Sequence, residues 1–229
     1  MSFVGLQTEN YRNGEFLGRE LPGSISRDQI TLKAVNDGAT TWVTGLVLGA
    51  ITIGTLTGAA VAGNTGNSTI GTISAGKNTK VGVYNISCVS VTGGYWWEVV
   101  DPNGVCLGLV KSGAAFSNPQ VNFLITAGGT NTVIGDAFTI TVAVAAVDSN
   151  SKPLYTAWNP SATDGSQNFA GFLYSTTYMG GSANQIGTIV NYGAEVASGL
   201  IGWGTANATQ IAAAQAQANA LGIKFRPTL

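Results

Sequence analysis

Nucleophilic catalysis requires a base beside the nucleophile. The 229-residue chain contains no His, the commonest general base and a frequent metal ligand. No G-x-S-x-G elbow occurs, and no S-x-x-K stands with supporting motifs. Glycosidase chemistry would need a pair of carboxylates. Only 11 Asp and Glu are present, and Asp101, Asp148 and Asp164 sit in stretches where Asp serves turns. No C-x-x-C, EF-hand loop or phosphate-binding Gly loop appears. The expectation is a non-enzymatic protein with no cofactor and no metal.

The side chains that could do something specific are aromatic. Tyr95-Trp96-Trp97 lies in a β-patterned stretch. On a strand, Tyr95 and Trp97 point one way and Trp96 the other. One face would be core, and the other could offer a platform to a glycan or a protein partner, as in sugar-binding sandwiches. The alternative is that one ring packs in the core and the other lies against a loop or a neighbouring subunit. Trp42, Trp158 and Trp203 are expected to be core or subunit contacts.

Strands are expected to position these rings. Residues 69–145 alternate densely: Tyr84, Ile86 and Cys88 share one face, and Phe138, Ile140, Val142 and Val144 alternate with Thr139, Thr141 and Ala143. Asp101-Pro102-Asn103-Gly104 carries type I turn chemistry and predicts a hairpin between Tyr95–Val100 and Val105–Val110. This spacing reads as an Ig-like antiparallel sandwich. Residues 58–68 read as a small-residue linker. Outside the sandwich, strands are expected at 27–35, 42–49, 154–158, 169–175 and 186–192. One helix closes the chain: Asn207 and Gln210 form a capping box, Ile211, Ala214, Ala218 and Leu221 make an apolar stripe, and Gly222 is the C′ residue. An extended piece, 223–226, follows.

The fold class expected is therefore mainly β: a small base domain (27–55 with 146–229) carrying the helix and interrupted by an inserted sandwich (56–145). Residues 1–26 hold Phe3, Val4, Leu6, Tyr11, Phe16, Leu17 and Leu21 without a period. They read as an extended arm that orders only against something else.

Composition narrows the partners. Charged residues are 9% of the chain, the net charge is −1, and Gly numbers 32. Ten scattered cations cannot displace counterions from phosphate, so no nucleic-acid partner is expected. Gly45–Gly63 is long enough to span a bilayer, but its Gly and Thr content and strand-like alternation argue against membrane insertion. The polar N-terminus lacks signal-peptide features, and Cys88 and Cys106 read as reduced thiols of a protein made in the cytoplasm. Near-zero charge favours self-association, which suits a subunit of a larger assembly.

Several segments carry a family likeness: SISRDQITL (24–32), GLVLGAIT (45–52), AWNPSATDGSQNFAGFLYS (157–175), IVNYGAEVASGLIGW (189–203) and ALGIKFR (220–226). In this order they resemble the lambda-type head decoration proteins of tailed bacteriophages. The likeness covers most of the chain after residue 24. The stretch GNTGNSTIGTISAGKNTKVGVYNISC (63–88), with 97–110 and 135–144, looks like the β-module often inserted in such proteins. The resemblance implies a virion protein on the outer capsid surface. It would bind the major capsid protein as a homotrimer and stabilise the expanded head. Its arm, with Tyr11, Phe16, Leu17, Leu21 and Ile25, would be the capsid-binding part. Strand addition by such an arm draws affinity from main-chain hydrogen bonds, and three arms multiply weak contacts. A compatible alternative is an adhesive module that takes host-surface glycans through Tyr95, Trp96 or Trp97.

Overall fold

A computed structural model describes residues 12–35 and 39–227. The protein is mainly β, 46% strand and 9% helical. It divides into two compact units. The first takes the chain up to Ala50, Val147–Pro160 and Ser166 onward; the second takes Ile51–Ala146 and Ser161–Gly165.

The first unit opens with β1 (Leu17–Glu20), a single helical turn α1 (Gly23–Ser26), β2 (Arg27–Leu32), β3 (Ala39–Trp42) and β4 (Val47–Ile51), whose last residue begins the second unit. The second unit runs β5 (Ile53–Ala60), β6 (Thr69–Ala75), β7 (Gly82–Ser90), β8 (Trp96–Val100), β9 (Cys106–Lys111), β10 (Ala115–Ser117), β11 (Val121–Thr126) and β12 (Ala137–Val144). The chain then returns to the first unit with β13 (Leu154–Ala157), β14 (Gly171–Leu173), β15 (Thr177–Gly180), β16 (Gln185–Val190), β17 (Ala194–Ala197), α2 (Ala208–Ala220) and β18 (Lys224–Arg226).

In the first unit, β13-β2-β16-β14-β4 close a barrel, β1-β17-β18 form a three-stranded sheet, and β3-β15 form a ribbon. One apolar cluster joins Ile30, Leu32, Leu48, Leu173, Met179 and Ile189. A second joins Phe16, Phe169, Phe172, Val190 and Val196 with Ala214 and Ala218 of α2. The expected helix is present: the Asn207 side chain accepts from the Gln210 N–H, the Gln210 side chain accepts from the Asn207 N–H, and Gly222 has φ +76°. Ala214 and Ala218 are its buried face, small enough to bring the helix close to the aromatic cluster. Gly49 leaves no room for a Cβ beside the Ser166 carbonyl, so only Gly permits that approach.

The second unit is an antiparallel sandwich. One sheet is β5-β12-β7-β8-β9, the other β10-β11-β6. Period-2 alternation supplies its core: Tyr84, Ile86 and Cys88 from β7, Trp97 and Val99 from β8, Val121, Phe123 and Ile125 from β11, and Phe138, Ile140 and Val142 from β12. Residues 58–60, expected as linker, are strand instead. They pair with Phe138–Ile140 of β12. The small side chains there serve packing, because a Cβ at Gly58 would collide with Ile73. Val47–Ile51 and Ile53–Ala60 are both strands, and no helix among the described residues is long and apolar enough to cross a membrane.

The hairpin turn forms as expected. The Gly104 N–H donates to the Asp101 carbonyl (2.9 Å), and Gly104 takes φ +81°, the three-residue closure that bends into a bulge. Asp101 is buried, and its carboxylate accepts from the N–H groups of Asn103 (2.8 Å) and Val105 (2.9 Å) and from Lys80 Nζ (2.6 Å). The Lys80 ammonium and these N–H donors hold its pKa well below the usual carboxylate range. Asp136 is held low by the N–H groups of Thr65, Gly66 and Val133, against burial, which pushes the other way.

Depressed carboxylates make a pH prediction. The unfolded chain takes up protons near pH 4, while the folded chain resists doing so to lower pH. The stability they contribute is therefore present above about pH 5 and is lost as pH falls through about 4 toward the folded values. With no His to titrate, calorimetric melting temperature should stay flat from about pH 5.5 to 8 and fall below about pH 4. Asp101→Asn should remove part of that acid slope. A melting temperature that holds steady down to pH 2.5 would refute the assignment.

Candidate functional site

The expected arm residues fall in three groups. Tyr11 lies outside the described residues. Phe16 is 0% exposed, and its ring packs 5.6 Å from Phe172 within the main aromatic cluster. Leu17 is half-buried against that cluster. Leu21 is 43% and Ile25 55% exposed. Phe16 is thus core rather than a docking side chain, and residues 12–26 belong to the folded first unit. The reason is long-range pairing: β1 pairs antiparallel with β17, and the segment before it is hydrogen-bonded to residues 44, 174 and 176. The Gly14 N–H donates to the Tyr174 carbonyl (2.9 Å) and to Thr44 Oγ1 (3.1 Å), while Asn13 Oδ1 accepts from the Thr176 N–H (3.1 Å).

A charged clamp closes this segment. The Glu20 carboxylate accepts from Arg27 Nε (3.0 Å) and Nη2 and from the Ser26 hydroxyl (2.9 Å), and the guanidinium stacks over Tyr174 at 3.7 Å. The Arg27 hydrogen bond lowers the Glu20 pKa and raises that of Arg27. The charges of the clamp satisfy one another. Leu21 packs over Gly193, and Leu21 and Tyr192 line an open groove of about 440 Å³ with Arg19, Glu195 and Lys224. Tyr192 is 48% exposed, and its part in this groove had no sequence signal because 171 residues separate it from Leu21. β1 is a terminal strand of its sheet, and among the described residues its outer edge carries no neighbouring strand.

The aromatic triplet splits as strand geometry requires. Trp97 is 0% exposed, 5.0 Å from Phe138, and its Nε1 donates to Ser112 Oγ (2.9 Å). It is core, which corrects its candidacy as a partner-facing ring. Tyr95 is half-buried on that core, and its hydroxyl donates to Asn131 Oδ1 (3.0 Å). Trp96 is 36% exposed on the opposite face, with Lys111 Nζ over its ring at 5.9 Å. Cys88 is buried and Cys106 exposed, and both are free; burial raises the Cys88 pKa.

Comparison with known proteins adds one family. Residues 6–83 match the model of the family described as bacteriophage lambda head decoration protein D. The matched stretch is about a third of the chain. It contains the segments 24–32 and 45–52 and begins ahead of them; 157–175, 189–203 and 220–226 lie beyond it. No curated protein matches. Among solved structures, FlgL from Xanthomonas campestris matches at 20% identity over 42% of this chain and 31% of its own, with a TM-score of 0.32. The flagellar junction protein FlgL from Legionella pneumophila matches at 13% identity over 46% of this chain and 38% of its own, with a TM-score of 0.31. The chain spans about a third of the length of these structures. Over residues 6–83 the chain is similar to the head decoration family, a likeness that supports a capsid-associated structural role in a virion.

Proposed function

We propose that this is a non-enzymatic virion protein that binds the outer surface of a phage capsid as a homotrimer and stabilises the expanded head. The observation that carries the reading is the match of residues 6–83 to the head decoration family. The first unit adds support: Leu21, Ile25 and Tyr192 are exposed apolar groups, and β1 is a terminal strand of its sheet among the described residues. A protein docked on such a surface recovers apolar area and edge hydrogen bonds together. The low charge of the chain fits a subunit whose surface is shared with neighbours.

The test mixes purified protein with expanded phage shells that lack it. Binding in multiples of three and a gain in heat or chelator resistance are expected. Removing residues 1–11, which leaves Phe16 and β1 in place, should abolish binding and keep the melting temperature. Shells that stay bare, or full decoration by the truncated protein, would sink the corresponding half of the proposal.

A second reading concerns the second unit as an adhesive module for host-surface glycans. It is favoured by the partly exposed ring of Trp96 on the outer face of the five-stranded sheet, which Glu98 shares.

A further inference from the structure

Lys and Arg number only 10 in the whole chain, yet Arg19, Lys224 and Arg226 stand on one face of the three-stranded sheet β1-β17-β18. Register puts them there. Arg19 pairs with Glu195 of β17, and Glu195 pairs with Lys224 of β18. Directly paired residues point to the same side of a sheet, and residues two apart on a strand share it. Arg226 is therefore on that side as well, opposite the buried Ala194 and Val196.

The charges on this face do not cancel. The Glu195 carboxylate accepts from Arg226 Nη2 (2.7 Å), and the Glu20 carboxylate is held by Arg27. Arg19 and Lys224 are exposed and, among the described residues, have no ion pair of their own. Four cations (Arg19, Arg27, Lys224, Arg226) against two carboxylates (Glu20, Glu195) leave an excess of two positive charges. The Arg226 hydrogen bond lowers the Glu195 pKa, and the fields of Arg19 and Lys224 add to it. Beside the cations the surface is apolar and open. Leu21 lies over Gly193, and a Cβ on Gly222 would meet Gly193 Cα at 3.7 Å. These two glycines line the 440 Å³ groove without side chains, with Leu21 and Tyr192 toward one end and Arg19 and Lys224 toward the other. Arg19 and Leu21 are two residues apart, roughly 7 Å along the chain.

We propose that this groove docks an extended acidic segment of a partner protein. The inference rests on the reading of the chain as a capsid-bound subunit, and it names the surface and the chemistry of the segment received. An apolar side chain of that segment seats against Leu21 and Tyr192. An Asp or Glu two residues away reaches Arg19 or Lys224, because an extended chain repeats the same spacing. Its main chain passes over Gly193 and Gly222, where no side chain bars the approach. The excess charge selects against a basic segment, and the apolar end recovers area that a bare anion would leave wet. Nucleic acid fits less well, since two excess cations neutralise few phosphates and an apolar wall serves none.

The experiment has two arms. Capped peptides tiling the major capsid protein of the expanded shells are arrayed and probed with the full-length protein. Shell binding is then measured for wild type, Arg19→Glu, Lys224→Glu and, as an equal charge reversal outside the groove, Lys33→Glu. Capture of acidic peptides that weakens with added salt is expected. Shell affinity should fall tenfold or more for Arg19→Glu and for Lys224→Glu and stay unchanged for Lys33→Glu. All three side chains are exposed, so unchanged melting temperatures separate lost docking from unfolding. Decoration unaffected by both groove reversals, or capture of basic or neutral peptides alone, would overturn the inference and leave the capsid role standing. Self-association of the free protein that the same reversals abolish in sedimentation would assign the groove to a second copy and overturn it too. Shells left bare by the wild type would defeat the capsid reading and this inference with it.

Discussion

Phe16→Ala should lower the stability of the first unit by about 3–5 kcal/mol, the usual cost of deleting a buried Phe side chain. The ring is fully buried and stacks on Phe172, which itself packs on Phe169, Trp203 and Phe225 at centroid distances of 5.0–6.4 Å. Removing it leaves a cavity whose walls are aromatic rings held by one another, so collapse is limited. A single domain has only about 5–15 kcal/mol in total, and a large share would be lost. Chemical denaturation read by Trp203 and Trp158 fluorescence should show the fall. The contrast is Ile25→Ser, which should move stability by less than about 1 kcal/mol, because Ile25 is 55% exposed. If Phe16→Ala unfolds normally yet binds shells poorly, Phe16 would be a docking residue after all. The same argument covers truncation: removal of residues 1–22 would delete Phe16 and β1 and destroy the first unit, so only removal of residues 1–11 tests the arm.

Trp97→Ala is the second large effect, again about 3–5 kcal/mol, in the second unit. Trp97 is among the largest fully buried side chains, and its loss also strands the Ser112 hydroxyl that accepts its N–H. Trp96→Ala, one residue away, should cost about 1 kcal/mol or less, since its ring is partly solvated. Calorimetry on the two variants reads the alternation of the strand directly. Equal losses would mean that both rings are packed and that no aromatic platform exists.

Much of the second unit was legible in the sequence. Tyr84/Ile86/Cys88 and Phe138/Ile140/Val142 repeat at the period of a strand over enough residues for the apolar face to be unambiguous. The Asp-Pro-Asn-Gly turn and the Asn207–Gln210 capping box were equally readable, because both are closed by hydrogen bonds within four residues. Short elements were not. β10, β15 and β17 run three or four residues, too few to display a period, and they exist because partners elsewhere in the chain complete their ladders. Residues 58–60 misread as linker because Gly-Ala-Ala signals a turn locally, whereas the opposed Ile73 demands small side chains.

The sequence by itself determined that the protein is mainly β, poor in charge, without His, and closed by one capped helix. These properties are set by composition and by bonds between near neighbours. Only the tertiary structure decided that Phe16 is core, that Leu21 and Tyr192 line one groove, and which side of the sheet Trp96 shares with Glu98, Ser87 and Asn85. Each depends on strand register between distant segments, and register is chosen by the burial of the whole face rather than by any local run of residues.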